Sequence, residues 1–275
     1  MRFAVVGHVE WVDFLEVSHV PLAGEIVNAA AAWSEAAGGG AVAAVQLAKL
    51  AGTVTFFTAL GGDELGRRAE AQLREQDVEV AAARREVAQR RAVTFLDQRG
   101  ERTITTIGPR LVPTAEDDLP WDLLDDVDGV YFTGGDAGAL RHARRARVVV
   151  ATPRAKDALV RSAADAGEQG DPERLGYSAR LIVNTEGPQG GTFVAGEGRT
   201  GTFKAAALPG PLADAYGAGD SFAAGLTFGL GSGLGIEAAL HVAASCGAGN
   251  MSGRGPYSGQ PLREDLELPP EPDRL

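Results

Sequence analysis

The chain has 275 residues, 44% of them hydrophobic, one cysteine and a formal net charge of −11. That is enough for one large α/β domain or two small ones with a packed core, while a single cysteine excludes internal disulfides and thiolate metal clusters. The negative balance speaks against nucleic acid as a partner, and no apolar run reaches the roughly 18 residues a membrane span needs.

The chain opens straight into a strand-like run at residues 2–7, so no signal peptide is expected, and a reducing cytoplasm suits the lone Cys246. Residues 11–20 alternate apolar and polar, the period of a half-exposed strand. After Pro21, Gly24 and Glu25, residues 26–33 read as its return partner. A strand pair projecting beyond the first strand predicts a sheet-like lid. Gly38-Gly39-Gly40 then introduces an Ala-rich helix that ends at Gly52, entered tightly and packed closely on a sheet. Neither a dinucleotide G-x-G-x-x-G nor a Walker lysine loop is present. Residues 53–60 form a β-rich run, and Asp63 reads as the N-cap of the helix after it. Residues 93–107 read as two strands around Gly100, a hairpin signal, with Arg102 an exposed turn residue.

From residue 127 strands at 129–133, 147–151 and 181–185 alternate with helical segments, which predicts a parallel sheet covered on both faces. Thr185-Glu-Gly-Pro-Gln-Gly-Gly191 puts glycines at the carboxyl end of the last of these, where open α/β sheets bind ligands. Residues 196–203 read as a small hairpin. Next comes Asp214-Ala-Tyr-Gly-Ala-Gly-Asp-Ser-Phe-Ala-Ala-Gly225. Gly217, Ala218 and Gly219 make a turn whose backbone can come close to a ligand, and the free N–H groups of the helix start suit phosphate oxygens. A carboxylate at that place, Asp220, repels a phosphate unless it takes the proton of an attacking hydroxyl. On these residues alone, a loop that merely caps a core helix explains the stretch equally well. Residues 235–249 read as a further Ala-rich helix, and the acidic, Pro-rich tail from 264 as a loose end. His8, His19, His142 and His241 show no metal-ligand spacing and read as surface or packing residues.

The pattern Asp-x-x-Gly-Ala-Gly-Asp-x-Phe-x-x-Gly resembles the C-terminal signature of the ribokinase (PfkB) family of sugar and nucleoside kinases. Gly39-Gly40 before an Ala-rich helix is similar to the family's N-terminal signature, and the likeness runs from residue 1 to about 255. It implies a single ribokinase-like domain over 1–275, an α/β fold with a mostly parallel central sheet, helices on both faces and a small β-sheet lid from segments about 11–33 and 90–107. It implies Asp220 as catalytic base, with Gly217, Ala218 and Gly219 offering N–H groups to the γ-phosphoryl. Gly39, Gly40 and Asp13 would bind the sugar, and Thr185, Gly187 and Gly190 the nucleotide phosphates. Asp165 and Glu168 would hold Mg2+ through water. ATP and Mg2+ are thus the implied cofactors, and the likeness admits a monovalent cation (K+). An adenine slot would lie against the 235–249 helix and the Gly253-Arg-Gly-Pro stretch.

Two departures bear on the acceptor. Ala43 and Ala44 stand where the family usually has a substrate-binding asparagine, and no lysine precedes Lys49, where many phosphosugar members have one. A neutral sugar or related polyol is therefore the expected substrate. A nucleoside stacked on Trp11, Phe14 or Trp33 is the alternative, as is a non-catalytic nucleotide or sugar sensor that keeps the fold. The lid strands are too few to be stable alone, so pairing with the lid of a second copy is a further expectation; neither nucleic acid nor membrane is.

Overall fold

A computed structural model describes residues 1–159 and 179–268. At its centre, β1 (Phe3–Val6) is buried throughout and pairs in parallel with β4 (Val54–Gly61) on one side and β8 (Gly129–Phe132) on the other. Beyond these lie β5 (Val78–Arg85) and β9 (Val149–Ala151), giving an all-parallel sheet in the order β5-β4-β1-β8-β9. β1 shows why its sequence is apolar at every position rather than alternating. Phe3 and Val5 enter one core with Val42, Val45 and Phe228, while Ala4 and Val6 enter another with Phe57, Trp121, Phe132 and Leu140. The expected parallel sheet covered on both faces is thus present.

The first core is roofed by α1 (Gly39–Ala51), α2 (Glu64–Arg74) and α4 (Ala218–Gly231). The second is roofed by α3 (Ala137–Ala143) and a 3-10 turn at Trp121–Asp126. Asp63 caps α2 as expected, accepting the Gly66 N–H at 3.1 Å; its other oxygen accepts the Gln89 N–H at 3.2 Å. α5 (Ile236–Met251) lies against α4 with almost no side chain between them: Gly225 faces Ala243 and Cys246, and Gly229 faces Ala239. Burial pushes the Cys246 thiol up to about 12, so it sits there as a small apolar group. No helix among the described residues is long and apolar enough to cross a membrane.

The lid is a separate four-stranded sheet of β2 (Glu10–Glu16), β3 (Ala31–Ala37), β6 (Arg91–Leu96) and β7 (Arg102–Ile107), in the order β3-β2-β6-β7. β2 and β6 run parallel and the outer pairs antiparallel, with Gly100 (φ +76°) at the hairpin turn. The second lid strand begins later than the expected 26–33. The register that puts Phe14 beside Trp33 extends to Glu10 beside Ala37, and Gly24 (φ +82°) keeps the preceding stretch in a loop.

A second difference concerns the last expected parallel strand. β10 (Leu181–Thr185) pairs with none of the central strands; it joins β11 (Gly191–Ala195) and β12 (Arg199–Phe203) in an antiparallel sheet of three. Its alternating burial leaves it a single inward face, with Leu181 and Val183 half-buried and Ile182 and Asn184 exposed, unlike the fully buried β1 and β8. Glu186 N–H bonds the Gly190 carbonyl at 2.8 Å, closing the tight turn that lays β11 antiparallel beside it. The hairpin expected over 196–203 runs instead from 191 to 203, because residues 196–198 are its turn and 199–203 only its second strand. This small sheet packs through Phe193 on Leu226, Leu240 and Ala243 of α4 and α5.

The α4–α5 contact yields a sharp test. A Cβ on Gly225 would stand 2.8 Å from Cys246 Sγ and 2.9 Å from the Ala243 Cα. Alanine gains about 1 kcal/mol in helix propensity over glycine, but overpacking costs about 1–3 kcal/mol, and a backbone atom cannot swing aside. Gly225→Ala is therefore expected to lower unfolding stability despite its better propensity, read as a reduced urea midpoint at unchanged slope. A raised midpoint would show that the helices separate freely.

Candidate active site

The carboxyl ends of β1, β8 and β9 open onto the same crevice, the usual ligand position in an open α/β sheet. The first turns of α1 and α4 enter it from one side. Asp220, the third residue of α4, is only 8% exposed there. Its Oδ1 accepts the phenol O–H of Tyr131 on β8 at 2.8 Å and the guanidinium of Arg154, in the turn after β9. The same guanidinium reaches the Tyr131 hydroxyl at 3.4 Å. Burial, reinforced by the Asp220 charge, raises the Tyr131 phenol far above its ordinary range, so it stays protonated and donates. No hydrogen bond from a described residue reaches Oδ2. One oxygen of the carboxylate is thus fixed, and the other has no hydrogen-bond partner among the described residues.

The turn before Asp220 needs its glycines for different reasons. Gly217 has φ +82°, and a Cβ there would stand 2.8 Å from Val42 Cγ1; Gly219 faces open space. Ser221 N–H bonds the Gly217 carbonyl at 2.8 Å, so the N–H groups of Ala218, Gly219 and Asp220 have no intrahelical acceptor. The turn is braced from behind. Asp214, 1% exposed, accepts the N–H groups of Tyr216 and Gly255, each at 2.7 Å. Tyr216 Oη accepts the Gly38 N–H at 3.1 Å, and Gln260 Nε2 donates to both Ser221 Oγ (3.1 Å) and the Val42 carbonyl (2.9 Å). These bonds tie the start of α4 to the start of α1.

Gly39 completes the contact. A Cβ there would come within 2.9 Å of Asp220 Oδ1 and 3.1 Å of the Arg154 guanidinium. Around the other side stand His8 and Glu10, with His8 Nε2 3.8 Å from Glu10 Oε1 and Arg90 Nε donating to that oxygen at 2.7 Å. The crevice therefore brings together a half-tethered carboxylate, a rigid phenol donor, unused helix N–H groups and several guanidinium groups. That set can accept a proton and stabilise transferring negative charge.

The family model of the pfkB family carbohydrate kinases matches residues 2–175 and 162–263. The chain belongs to this family. Among solved structures, a ribokinase from Arabidopsis thaliana, complexed with ribose and ATP, is 20% identical with a TM-score of 0.74, covering 96% of each chain. An adenosine kinase from Sinorhizobium meliloti is 18% identical with a TM-score of 0.73 over 96% of this chain and 98% of its own. A nucleoside kinase from Methanocaldococcus jannaschii is 16% identical with a TM-score of 0.70 over 96% of each. At these identities the likeness is one of fold. A search of curated proteins returned no match. Phosphoryl transfer of the sugar or nucleoside kinase kind is the general activity that membership carries.

Against that family pattern, the signature residues divide. Asp220, Gly217, Ala218, Gly219 and Gly39 come together in the crevice. Gly40 is close-packed instead: a Cβ there would meet the Phe56 ring at 2.7 Å and the His8 backbone at 2.8–2.9 Å. Asp13 accepts from Ser34 Oγ at 2.5 Å and Arg91 at 2.8 Å, while the acid of β2 that lies by the crevice is Glu10. Alternation explains this, since residues 10 and 13 point to opposite faces of the strand. Thr185 ends β10, Gly187 (φ +58°) faces open space, and Gly190 (φ +85°) presses on the backbone of 203–205. Phe203, Lys204 and Ala205 wall a cavity of about 640 Å³, lined also by Glu237, Leu240, His241 and Ser245 of α5, one of the two segments expected at the adenine slot; Thr185, Gly187, Gly190 and the 253–256 stretch do not line it. Asp165 and Glu168 lie outside the described residues, and the described residues hold no cluster of three ligand-type side chains placed for a metal.

Sequence reasoning missed Tyr131, Arg154, Glu10, His8 and Arg90. The available signal was position: each sits on, or within a few residues of, a strand bordering the crevice.

His8 supplies a pH test. Burial first, then Arg110, Arg154 and Arg90, hold its imidazole well below 6.5, so it is folded neutral. A base depressed on folding lends stability that is present above its unfolded value of about 6.5 and lost as pH falls below it. The melting temperature of the native protein should therefore drop more between pH 7.5 and 5.5 than that of His8→Gln. Equal drops would mean His8 does not titrate against the fold.

Proposed function

We propose that this kinase is a single ribokinase-like domain, acting in the cytoplasm, that moves the γ-phosphoryl of ATP to a hydroxyl of a sugar or related polyol. The observation that carries this reading is the asymmetric tether of Asp220, with Oδ1 held by Tyr131 and Arg154 and Oδ2 left without a described partner. In the proposed step the acceptor hydroxyl lies on Oδ2 and its oxygen forms the new bond to the γ-phosphorus. The bond from that phosphorus to the β–γ bridging oxygen breaks, ADP leaves with the electron pair, and the hydroxyl proton passes to Asp220. The unused N–H groups of Ala218, Gly219 and Asp220 face charge that develops on the phosphoryl oxygens, as an oxyanion hole does. Mg2+ would neutralise the phosphate charge when bound, with Asp165 and Glu168 its proposed supports from sequence. The cavity along α5 and β12 suits the nucleoside end of ATP, with Thr185, Gly187 and Gly190 toward its phosphates.

Two other readings are less well supported. A nucleoside acceptor needs a free aromatic face, yet Trp33 is stacked on Phe14 at 5.0 Å and lies beneath Arg254 at 3.9 Å, and Trp11 lies beneath Arg68 at 4.5 Å. A ligand sensor would have no use for a carboxylate aimed among phosphate-binding N–H groups. The lid's edge strand β7 is exposed throughout, Ile104 and Ile107 included. Pairing of this edge with a second copy is part of the proposal, and a strictly monomeric protein in sedimentation would remove that part.

Asp220→Asn is expected to lower kcat by about 10²–10⁴-fold while ATP affinity by calorimetry stays near native. Tyr131→Phe removes one hydrogen bond to a charged oxygen, worth about 1.5–3 kcal/mol, so a kcat loss of roughly tenfold or more is expected with KM for ATP little changed. Native turnover by Asp220→Asn on a true acceptor would end the assignment of Asp220 as base.

A further inference from the structure

Among the described residues, the arginines at the crevice outnumber the acids. Arg90 pairs with Glu10, and Arg154 with Asp220. Arg110 is the third. It follows β7 in the chain, is solvent-exposed, and forms no hydrogen bond or ion pair with any described residue. A Cβ on Gly134 would stand 3.1 Å from Val112 Cγ1 and 3.8 Å from His8 Nδ1, so the chain two residues past Arg110 borders the same crevice, and the Arg110 charge falls on His8 as well. Arg90 and Arg110 both stand at the open base of the lid hairpin, where Arg90 also donates to the Gly108 carbonyl at 3.3 Å. The base is thickly anchored: the buried Gln89 side chain accepts the Gly61 N–H and donates to the Val9 carbonyl, each at 2.9 Å, fixing the chain one residue before Arg90. Like charges gathered with one left without a partner among the described residues cost free energy before a ligand binds. An anion arriving with the substrate removes that cost.

We propose that the acceptor carries a compact anionic group, carboxylate or phosphate, that is held by Arg110 together with Arg90 and Arg154 while its hydroxyl meets Asp220. This rests on the kinase reading above and narrows its substrate class. It also revises the expectation of a neutral sugar, which stood on a missing lysine; guanidinium groups from three separate segments supply the positive charge instead. None of the three lines the cavity along α5, which separates this anion from the nucleoside end of ATP.

The test uses the full chain with ATP, Mg2+ and matched acceptors of equal carbon number: neutral sugars, the corresponding sugar acids, sugar phosphates and nucleosides. An anionic acceptor should be preferred, and sugar acid against sugar phosphate tells which anion is read. Arg110→Ala should raise KM for that acceptor by about 10- to 100-fold, with Arg110→Lys between the two. The melting temperature should not fall, because Arg110 has no bonded partner among the described residues to lose and its removal relieves like-charge repulsion. Better kcat/KM with neutral acceptors overturns the anionic inference and leaves the kinase reading standing. So does a native KM in Arg110→Ala, and so does a loss of ATP affinity equal to that for the acceptor, which would assign the guanidinium to the nucleotide. If nothing is phosphorylated although ATP binds, the kinase reading fails. Calorimetry of the same acids and phosphates on the nucleotide-free protein then decides the anion: binding that Arg110→Ala loses upholds it, and no binding ends it.

Discussion

The structure turns on a charged carboxylate placed where water scarcely reaches. An ionised Asp220 at 8% exposure is tolerable only with dedicated partners, and the fold supplies them from every side. Tyr131 and Arg154 hold Oδ1, and the positive ends of two helices face the same point. For two helix starts to approach one carboxylate, no side chain can stand between them. Hence Gly39 lies where any Cβ would touch both Asp220 and Arg154, and Gly217 takes a left-handed turn against Val42. The apolar character of α1 and α4 follows from the same demand, since helices that meet at their starts bury their flanks in each other and in the sheet below.

The lid is fastened to this arrangement rather than merely adjacent to it. Arg102 donates to the Ala215 carbonyl at 2.8 Å, one residue before Tyr216. On the opposite edge, Tyr257 Oη donates to the Ala36 carbonyl at 2.5 Å, and Arg254 pairs with Glu16 at 3.0 Å while lying over Trp33. Asp214 joins the two fastenings, because it holds Tyr216 with one oxygen and Gly255 with the other. A buried carboxylate in that position is costly, and burial does raise its pKa against the pull of the two N–H groups. What the cost secures is a fixed relation between lid and catalytic turn.

How much of this was legible depended on the range of the interaction. Asp220, its glycine turn and the Asp63 cap are local patterns, in which the residues that make the feature are neighbours in sequence; all were readable. Arg102 was read as an exposed turn residue; it is exposed, and its hydrogen bond to a loop 113 residues away has no local signature. The crevice arginines come from positions 90, 110 and 154; the antiparallel β6–β7 hairpin brings the first two together, and the order of the parallel strands brings Arg154 to the same edge. Asp13 and Glu10 show how much turns on the face of a strand, since side chains alternate and an odd offset reverses them. β10 was assigned to the parallel sheet on element alternation alone; its exposed Ile182 and Asn184 mark a strand with one buried face, and the Glu186–Gly190 turn was visible as glycines but not as a hairpin.

Charge makes the same distinction between composition and topology. A net charge of −11 describes how the whole molecule meets a large polyanion. Screening at physiological salt limits the reach of an exposed charge to about 8–10 Å, so a crevice responds to the few residues around it and hardly to the total. His8 reports that local field: after burial, the strongest influences on its imidazole are three arginines, although Glu10 lies 3.8 Å away. An acidic protein can thus present a basic site. Composition reads the former, and only the order of the strands, which decides whose ends share an edge, reads the latter.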